Sequence, residues 1–585
     1  MTHKDKYELV SELARRRGFF WPSFEIYGGV GGYISYGPLG ILLKERIIEK
    51  FRRFYLSGIN AIEVDSPIIM PGKVFEASGH VEHFREPMME CSKCGRKFRL
   101  DHLLRDAGMS DTEAEKLSLQ EMVEEIEWRD IRCPECGGKL VNPTYFTTMF
   151  QTTIGPYSDA VGYGRPEAAQ GVFVEFRRLY QVAREKLPFA GVQIGRAMRN
   201  EISPRQGPIR LREFTIIDME FFFDPEEPSC PLLPEVEDEV LRLIPAELKL
   251  KGVYEPVDAT VREALDRGYI LMEWQAYFMA RAKQFLELLG VPAEKQRFIE
   301  KLEWERAHYS AQGYDQEVYL DRWGWVEVSG HNYRTDYDLS RHMKYSGEDL
   351  QVFKEFKEPI ITERKVVRTR IPKIKEDFGG EAEEVLKLIA SLTPTEAEKE
   401  LREKGYIELA NGRYRLTDQH IHVQTIQEKK TGKRFVPHVI EPSFGVDRLF
   451  YVTLEYAYRT KDGRIVLSLP RDLAPIEVAV FPLVSRDGLP EKAREVYKML
   501  VEEGFRAEYD EVGSIGRRYA RADEVGIPIA ITIDYQSLED DTATLRDRDT
   551  WSQARNAIER LPQLLHEYFR YKIDFEDLGE PVKAT

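Results

Sequence analysis

Cysteine is scarce, with five in 585 residues, too few for a disulfide scaffold in a chain of this size. No long apolar run offers a membrane span. The opening Met-Thr-His-Lys-Asp-Lys-Tyr-Glu lacks the apolar core of a secretion signal. A cytoplasmic protein with no membrane partner is therefore expected. The glycine-rich stretch Glu25–Gly40 has neither a Gly-Lys-Ser/Thr ending nor Gly-x-Gly-x-x-Gly spacing. Its glycines read as turns and close-packing points, not as a phosphate loop. There is no internal repeat and no low-complexity tract. Positive charge is in deficit, the net charge being −16. This argues only weakly against nucleic acid, because binding follows local patches and not the total. One patch, Thr362–Lys375, has six basic residues against one acidic. It reads equally well as a protected strand edge or as a phosphate contact.

Length alone predicts several domains, at roughly 100–200 residues each. Helical apolar spacing covers 8–17 and 39–57, and a strand at Asn60–Asp65 stops before Pro67. Residues 1–90, 141–224, 320–340 and 433–470 read as one discontinuous strand-rich core. Residues 91–140 look inserted, with a cysteine pair on either side of an acidic amphipathic helix at about 111–127. The stretch 225–319 reads as a mostly helical insertion and 341–432 as a highly charged one. From 471 to 575 strands (Ile476–Phe481, Ile529–Asp534, Thr542–Arg546) alternate with helices (Glu491–Glu503, Trp551–Tyr568), the pattern of a separate α/β domain. A tail, 576–585, follows.

Cys91-Ser-Lys-Cys94-Gly and Cys133-Pro-Glu-Cys136-Gly-Gly are two knuckles whose four thiolates suit a tetrahedral, structural zinc. Four reduced, unligated thiols are the alternative. A catalytic zinc is not expected, since four protein ligands leave no open position.

The most informative stretch is Arg199–Glu220. Arg199 and Glu201 are placed two apart on one expected strand. A turn on Pro204, Gly207 and Pro208 follows, and a second strand carries Arg210, Arg212, Phe214, Asp218 and Glu220 on one face. Burying a face of unpaired charge is costly, so that face calls for a charged ligand. Arginine suits phosphate, an aromatic suits a base, and carboxylates suit an amine. A surface salt-bridge ladder would explain the charges but not Phe214. A similar constellation recurs at Val439–Phe450, where an apolar strand delivers Glu441 and Ser443 and a helix carries Arg448.

These segments resemble the three signature motifs of class II aminoacyl-tRNA synthetases: about 39–67, Ala197–Glu220 and Glu441–Arg448. The resemblance narrows to glycyl-tRNA synthetases of the archaeal and eukaryotic dimeric kind. It rests on Gly31-Gly-Tyr-Ile-Ser-Tyr-Gly-Pro-Leu-Gly40, Met149–Gly155, Arg165-Pro-Glu-Ala-Ala-Gln-Gly171, Lys186–Ala190, Gln193–Gly195, Glu441-Pro-Ser-Phe-Gly445, Gly516–Arg521 and Asp523–Pro528. It covers almost the full length and is weakest at 91–140 and 341–430.

The resemblance implies an α+β class II catalytic domain on an antiparallel sheet, a zinc-ribbon-like insertion with four cysteine ligands, helical or mixed insertions and a C-terminal α/β anticodon-binding domain. The charged insertion is a possible acceptor-stem contact. It implies a homodimer that joins glycine to ATP and then to tRNA(Gly), with Mg2+. A synthetase for another small amino acid, and a non-catalytic RNA-binding paralogue, are the alternatives. Residue by residue, Arg199, Glu201 and Arg448 are the implied catalytic groups. With Asn200, Arg210, Leu211, Phe214, Glu327 and Val328 they would hold ATP. Glu167, Asp218, Glu220, Glu441, Pro442 and Ser443 would hold glycine. The family usually has glutamate where this chain has Asp218, and threonine where it has Ala168; with the shorter Asp218 the ammonium contact could pass through water or be taken over by Glu220. Gly516–Arg521 would offer basic contacts to RNA, a solvated loop and helix start being the equal alternative.

Overall fold

In the computed structural model, residues 5–156, 160–202, 204, 207–307 and 309–582 are described. Part of the turn after Glu201 (Ser203, Arg205, Gln206) and the end of the tail (583–585) lie outside them.

Among the described residues nine strands make the central sheet: β1 (Ala61–Glu63), β2 (Phe189–Met198), β3 (Glu213–Phe223), β4 (Val240–Ile244), β5 (Val257–Thr260), β6 (Gln296–Glu300), β7 (Gln312–Leu320), β8 (Gly324–Thr335) and β9 (His438–Gly445). Their order is β5-β4-β6-β7-β8-β9-β3-β2-β1. The β1–β2 and β4–β6 pairs are parallel and the rest antiparallel. Period two sorts β3: Ile217, Met219, Phe221 and Phe223 enter the main hydrophobic core, while Phe214, Asp218 and Glu220 take the other face. The core face is covered by helices Pro38–Lys50, Glu273–Leu288 and Val446–Ala457, which contribute Leu43, Ile47, Phe278, Phe285, Leu449 and Phe450.

The glycines of the N-terminal stretch do pack closely. A Cβ on Gly40 would lie 1.8 Å from the Phe19 carbonyl oxygen, so only glycine lets helix Pro38–Lys50 sit against the backbone at Phe19.

Three expectations need correction. The stretch 225–319 is not mainly helical: it supplies β4, β5, β6 and most of β7, and so widens the central sheet. Strands β4 to β6 are short and bury few side chains each (Leu241, Leu243 and Ile244; Ala259; Gln296 and Phe298), so charged flanks mask their period. The charged insertion forms a compact unit at Gln351–Val436, because 341–346 belong to helix Tyr337–Ser346 of the other unit. Within the smaller unit, Val352–Thr369 and Ile421–Phe435 form a long antiparallel ribbon. Helices Ile371–Phe378, Ala382–Ala390 and Pro394–Lys404 enclose Ile374, Val385, Ile389 and Leu416 beside it. The basic patch begins on this ribbon, with Arg364 opposite Ile426. Finally, Trp551–Tyr568 is not one helix. Gln553–Ala557 is a strand, and the helix is Leu561–Phe569.

The C-terminal sheet has β10 (Val478–Pro482), β11 (Ala507–Tyr509), β12 (Ile529–Ile533), β13 (Thr542–Asp547), β14 (Gln553–Ala557) and β15 (Glu580–Pro581). It runs β11-β10-β12-β13-β14-β15 around its own core of Val480, Leu500, Ile531 and Leu565.

Candidate active site

The pocket is built on consecutive rows of the central sheet. One row crosses five strands: Gln193, Asp218, Ser443, Gly330 and Asp315. The next holds Gly191 beside Glu220 and Glu441 beside Asn332. Above them opens a cavity of about 250 Å3, lined at one end by Arg199, Glu201, Arg210, Leu211, Phe214, Glu327, Val328 and Arg448. Glu167, Asp218, Glu441 and Ser443 line the other end.

At the arginine end, β2 stops at Met198, so Arg199 and Glu201 do not lie on a strand. Arg199 stays in line because its N–H donates to the Arg212 carbonyl at 2.8 Å. Its guanidinium lies 5.4 Å from the Phe214 ring centre, and Nε donates to the Pro166 carbonyl at 3.0 Å. Arg210 and Arg212 precede β3. Arg210 faces Glu201 at 3.5 Å, whereas Arg212 staples the loop by donating to the carbonyls of Glu201 and Gly31. Arg448 donates to the Glu327 carbonyl and carboxylate at 2.6 and 3.1 Å. Glu327 is exposed at the pocket; partial desolvation there would raise its pKa, but Arg448 and Lys301 outweigh it and hold it down at about 2. Asp447, the neighbour of Arg448, accepts from the Thr215 N–H and Tyr36 hydroxyl and pairs with Lys44 at 3.1 Å, which locks the helix start to β3.

At the acidic end every carboxyl is buried. Asp218 accepts from the Ala168 and Ala169 N–H groups at 2.6 and 3.0 Å and from the Ser443 hydroxyl at 2.5 Å. Burial and the charge of Glu167 still raise its pKa. Glu441 accepts from Asn332 at 3.0 Å and Arg334 at 2.7 Å, and burial pushes it up to about 8. Burial would raise Glu167 too, but His80 and Arg334 hold it well below the usual range. Its carboxylate lies 3.3 Å from His80 Nε2. Asn200, Pro442 and Glu220 do not line the pocket. The Asn200 N–H is taken up by the Thr148 carbonyl, and Glu220 lies one row below Asp218, sealed from the pocket.

Arg334 organises this end. It is fully buried, forks onto Asp338 at 2.8 and 2.9 Å, donates to Glu441, and stacks 3.5 Å from the centre of the Tyr309 ring. Sequence reading missed it, and with it Asp338, His80, Gln170, Lys301, Asp315 and Asp447. Asn332 and Arg334 lie two apart on β8, but Glu327, Ser329, His331 and Thr335 on the same strand leave no clean alternation to mark them.

With that geometry in place, comparison with known proteins is decisive. The chain is 48% identical over 590 residues to a glycine–tRNA ligase of Aeropyrum pernix, covering 99% of this chain and all of that one. It is also 48% identical over 567 residues to that of Pyrococcus horikoshii, covering 96% and 98%. The chain belongs to the glycine–tRNA ligase family. Residues 477–568 of this family member also match the family described as an anticodon binding domain. A solved prolyl-tRNA synthetase from Cryptosporidium parvum aligns with TM-score 0.49 at 12% identity, over 96% of this chain and 78% of that one.

Within this glycine–tRNA ligase chain, the expected RNA contact at Gly516–Arg521 needs revision. The segment lies in helix Ile515–Val525, where Arg518 is buried against carbonyls of 483 and 513 and Arg521 pairs with Asp510. Only Arg517 of the three arginines is exposed. The cysteines do converge. The sulfurs of Cys91, Cys94, Cys133 and Cys136 all lie within 4.8 Å of one another, so the group could hold a metal ion. Gly95 and Gly137 adopt left-handed backbone, φ +68° each, which closes the two knuckles.

Proposed function

We propose that this pocket joins glycine to ATP, giving glycyl-adenylate and diphosphate, and then passes glycine to the 3′ end of tRNA(Gly). The observation that carries the reading is the division of one pocket into an arginine–aromatic end and a carboxylate end. Arg199 grips the α-phosphate and stabilises charge as the glycine carboxylate attacks it. Phe214 stacks on adenine, Glu201 accepts from its amino group, and Arg448 covers the other face. No general base is needed, because the attacking carboxylate is already ionised. Catalysis is positioning plus electrostatics. Glu167, Asp218 and Glu441 attract the ammonium group.

Glu327 is the group suited to a magnesium ion, since its carboxylate is held ionised beside Arg448; the ion would offset triphosphate charge. For the cysteines the ion that fits is zinc. Sulfurs at about 2.3 Å from a tetrahedral zinc stand roughly 3.8 Å apart, and here Cys91–Cys136 and Cys94–Cys133 are 3.5 and 3.7 Å apart. A homodimer acting in the cytoplasm completes the reading. Among the described residues no helix is long and apolar enough to cross a membrane.

ATP–pyrophosphate exchange across a panel of amino acids tests the proposal. Exchange with glycine is expected. Exchange with proline, threonine, serine or histidine instead would reassign the substrate, and none at all would point to an RNA-binding paralogue.

A further inference from the structure

Strands β3 and β9 are neighbours. The register that pairs Asp218 with Ser443 and Phe221 with Ile440 sets Glu220 opposite Glu441. Both side chains are buried. Like charges directly opposite across two strands repel, and two buried carboxyls sharing a site do not both ionise near neutral pH. The two differ in support. Glu441 accepts from Asn332 and Arg334, whereas among the described residues neither oxygen of Glu220 has a hydrogen-bond donor. A buried carboxylate without donors is strongly disfavoured, and a neutral carboxylic acid is not.

Among the described residues Glu220 has no cation of its own. Arg334 on β8 faces it, but its donors are committed to Asp338 and Glu441. Asp218 on the same strand, and Asp338 on helix Tyr337–Ser346, add negative charge. His331 on β8 and His342 on that helix are buried imidazoles pushed down by burial, to about 3 for His331, so they stay neutral. His80 serves Glu167. The cluster thus holds carboxyls in excess of cations before any substrate arrives.

We propose that Glu220 is a positioning residue that shares one proton with Glu441 until the amino acid binds, and that this proton leaves to solvent as the substrate ammonium enters. The pair acts as a charge-matched gate: the pocket exchanges one positive charge for another. Burial supports the same conclusion, since it drives Glu441 up to about 8 and Glu220 well above its usual range. The sign follows. Below the pair's pKa a proton must be displaced, so affinity for an ammonium ligand rises with pH. It climbs by about tenfold per pH unit while the pair is protonated, and levels off once it ionises unaided. The proposal rests on the reading that this pocket takes glycine.

The test is calorimetric titration of the full-length protein with glycine, in buffers of different ionisation enthalpy, near pH 7. Release of about one proton per glycine is expected, with Kd falling about tenfold from pH 6 to pH 7. Glu220→Gln, an isostere of the neutral acid, is expected to bind glycine with less than half that release. Binding without proton release by the unaltered protein would overturn the proposal alone, as would equal release in Glu220→Gln. No binding of glycine would overturn the substrate reading, and the proposal with it. The count on the unaltered protein decides even if the variant fails to fold.

Discussion

Arg334 carries more of the acidic end than any other side chain. Its guanidinium is fully buried, and two carboxylates, Asp338 and Glu441, depend on it. Removing one member of a buried ion cluster leaves the others uncompensated, at a cost of about 3–5 kcal/mol. Arg334→Met is therefore expected to lower the melting temperature of the purified protein, and a variant that melts like the parent would mean the cluster is solvated. Arg199 belongs to a different category. It sits at the pocket, partly exposed, and its side chain donates to the Pro166 carbonyl. Arg199→Ala should slow adenylate formation by on the order of 10²–10³ while tRNA binding, read by filter retention, stays within a factor of two or so. Equal loss of both would make the arginine a structural residue.

Among elements, helix Pro38–Lys50 shows how one missing side chain sets a packing distance. A methyl on Gly40 would lie 1.8 Å from the Phe19 carbonyl oxygen, so Gly40→Ala should destabilise by about 2 kcal/mol or more. A methyl on Gly516, in helix Ile515–Val525, would meet nothing within 4 Å. There the same substitution should be neutral or stabilise by up to about 1 kcal/mol, and thermal melts of the two variants check both signs. The four-cysteine insertion has a small core of Leu100, Leu104, Met122, Ile126 and Leu140. Chelation should make 91–140 sensitive to protease before the rest of the chain, and metal analysis should find about one zinc per chain. What the sequence revealed follows the strength of local period. β3 and β9 were legible because a polar face interrupts an apolar strand. β4 to β6 were not, because each buries so few residues that flanking charges hide the alternation. In the site, Arg199, Phe214, Asp218 and Glu441 were legible from spacing and resemblance. His80, Lys301 and Asp315 were not, because each comes from a distant segment and only the folded chain brings it to the pocket.

For the whole molecule, the expected assembly is a dimer. Sedimentation at micromolar concentration should give about twice the chain mass, and a monomer would separate this chain from the dimeric enzymes it resembles. The sheet order has a further consequence, for synthesis. Strand β9 sits between β8 and β3 and supplies Glu441 and Ser443, yet it follows Thr335 by some hundred residues, most of them in the 351–436 unit. On the ribosome, at roughly 5–20 residues per second, the nascent sheet therefore waits on the order of ten seconds with two open edges and a split pocket. The intervening unit has its own core, so nothing in it has to wait for the last central strand to fold. The last central strand then closes the gap and completes the site in one step, so a truncated chain ending before 438 should be inactive and prone to aggregate rather than partially active.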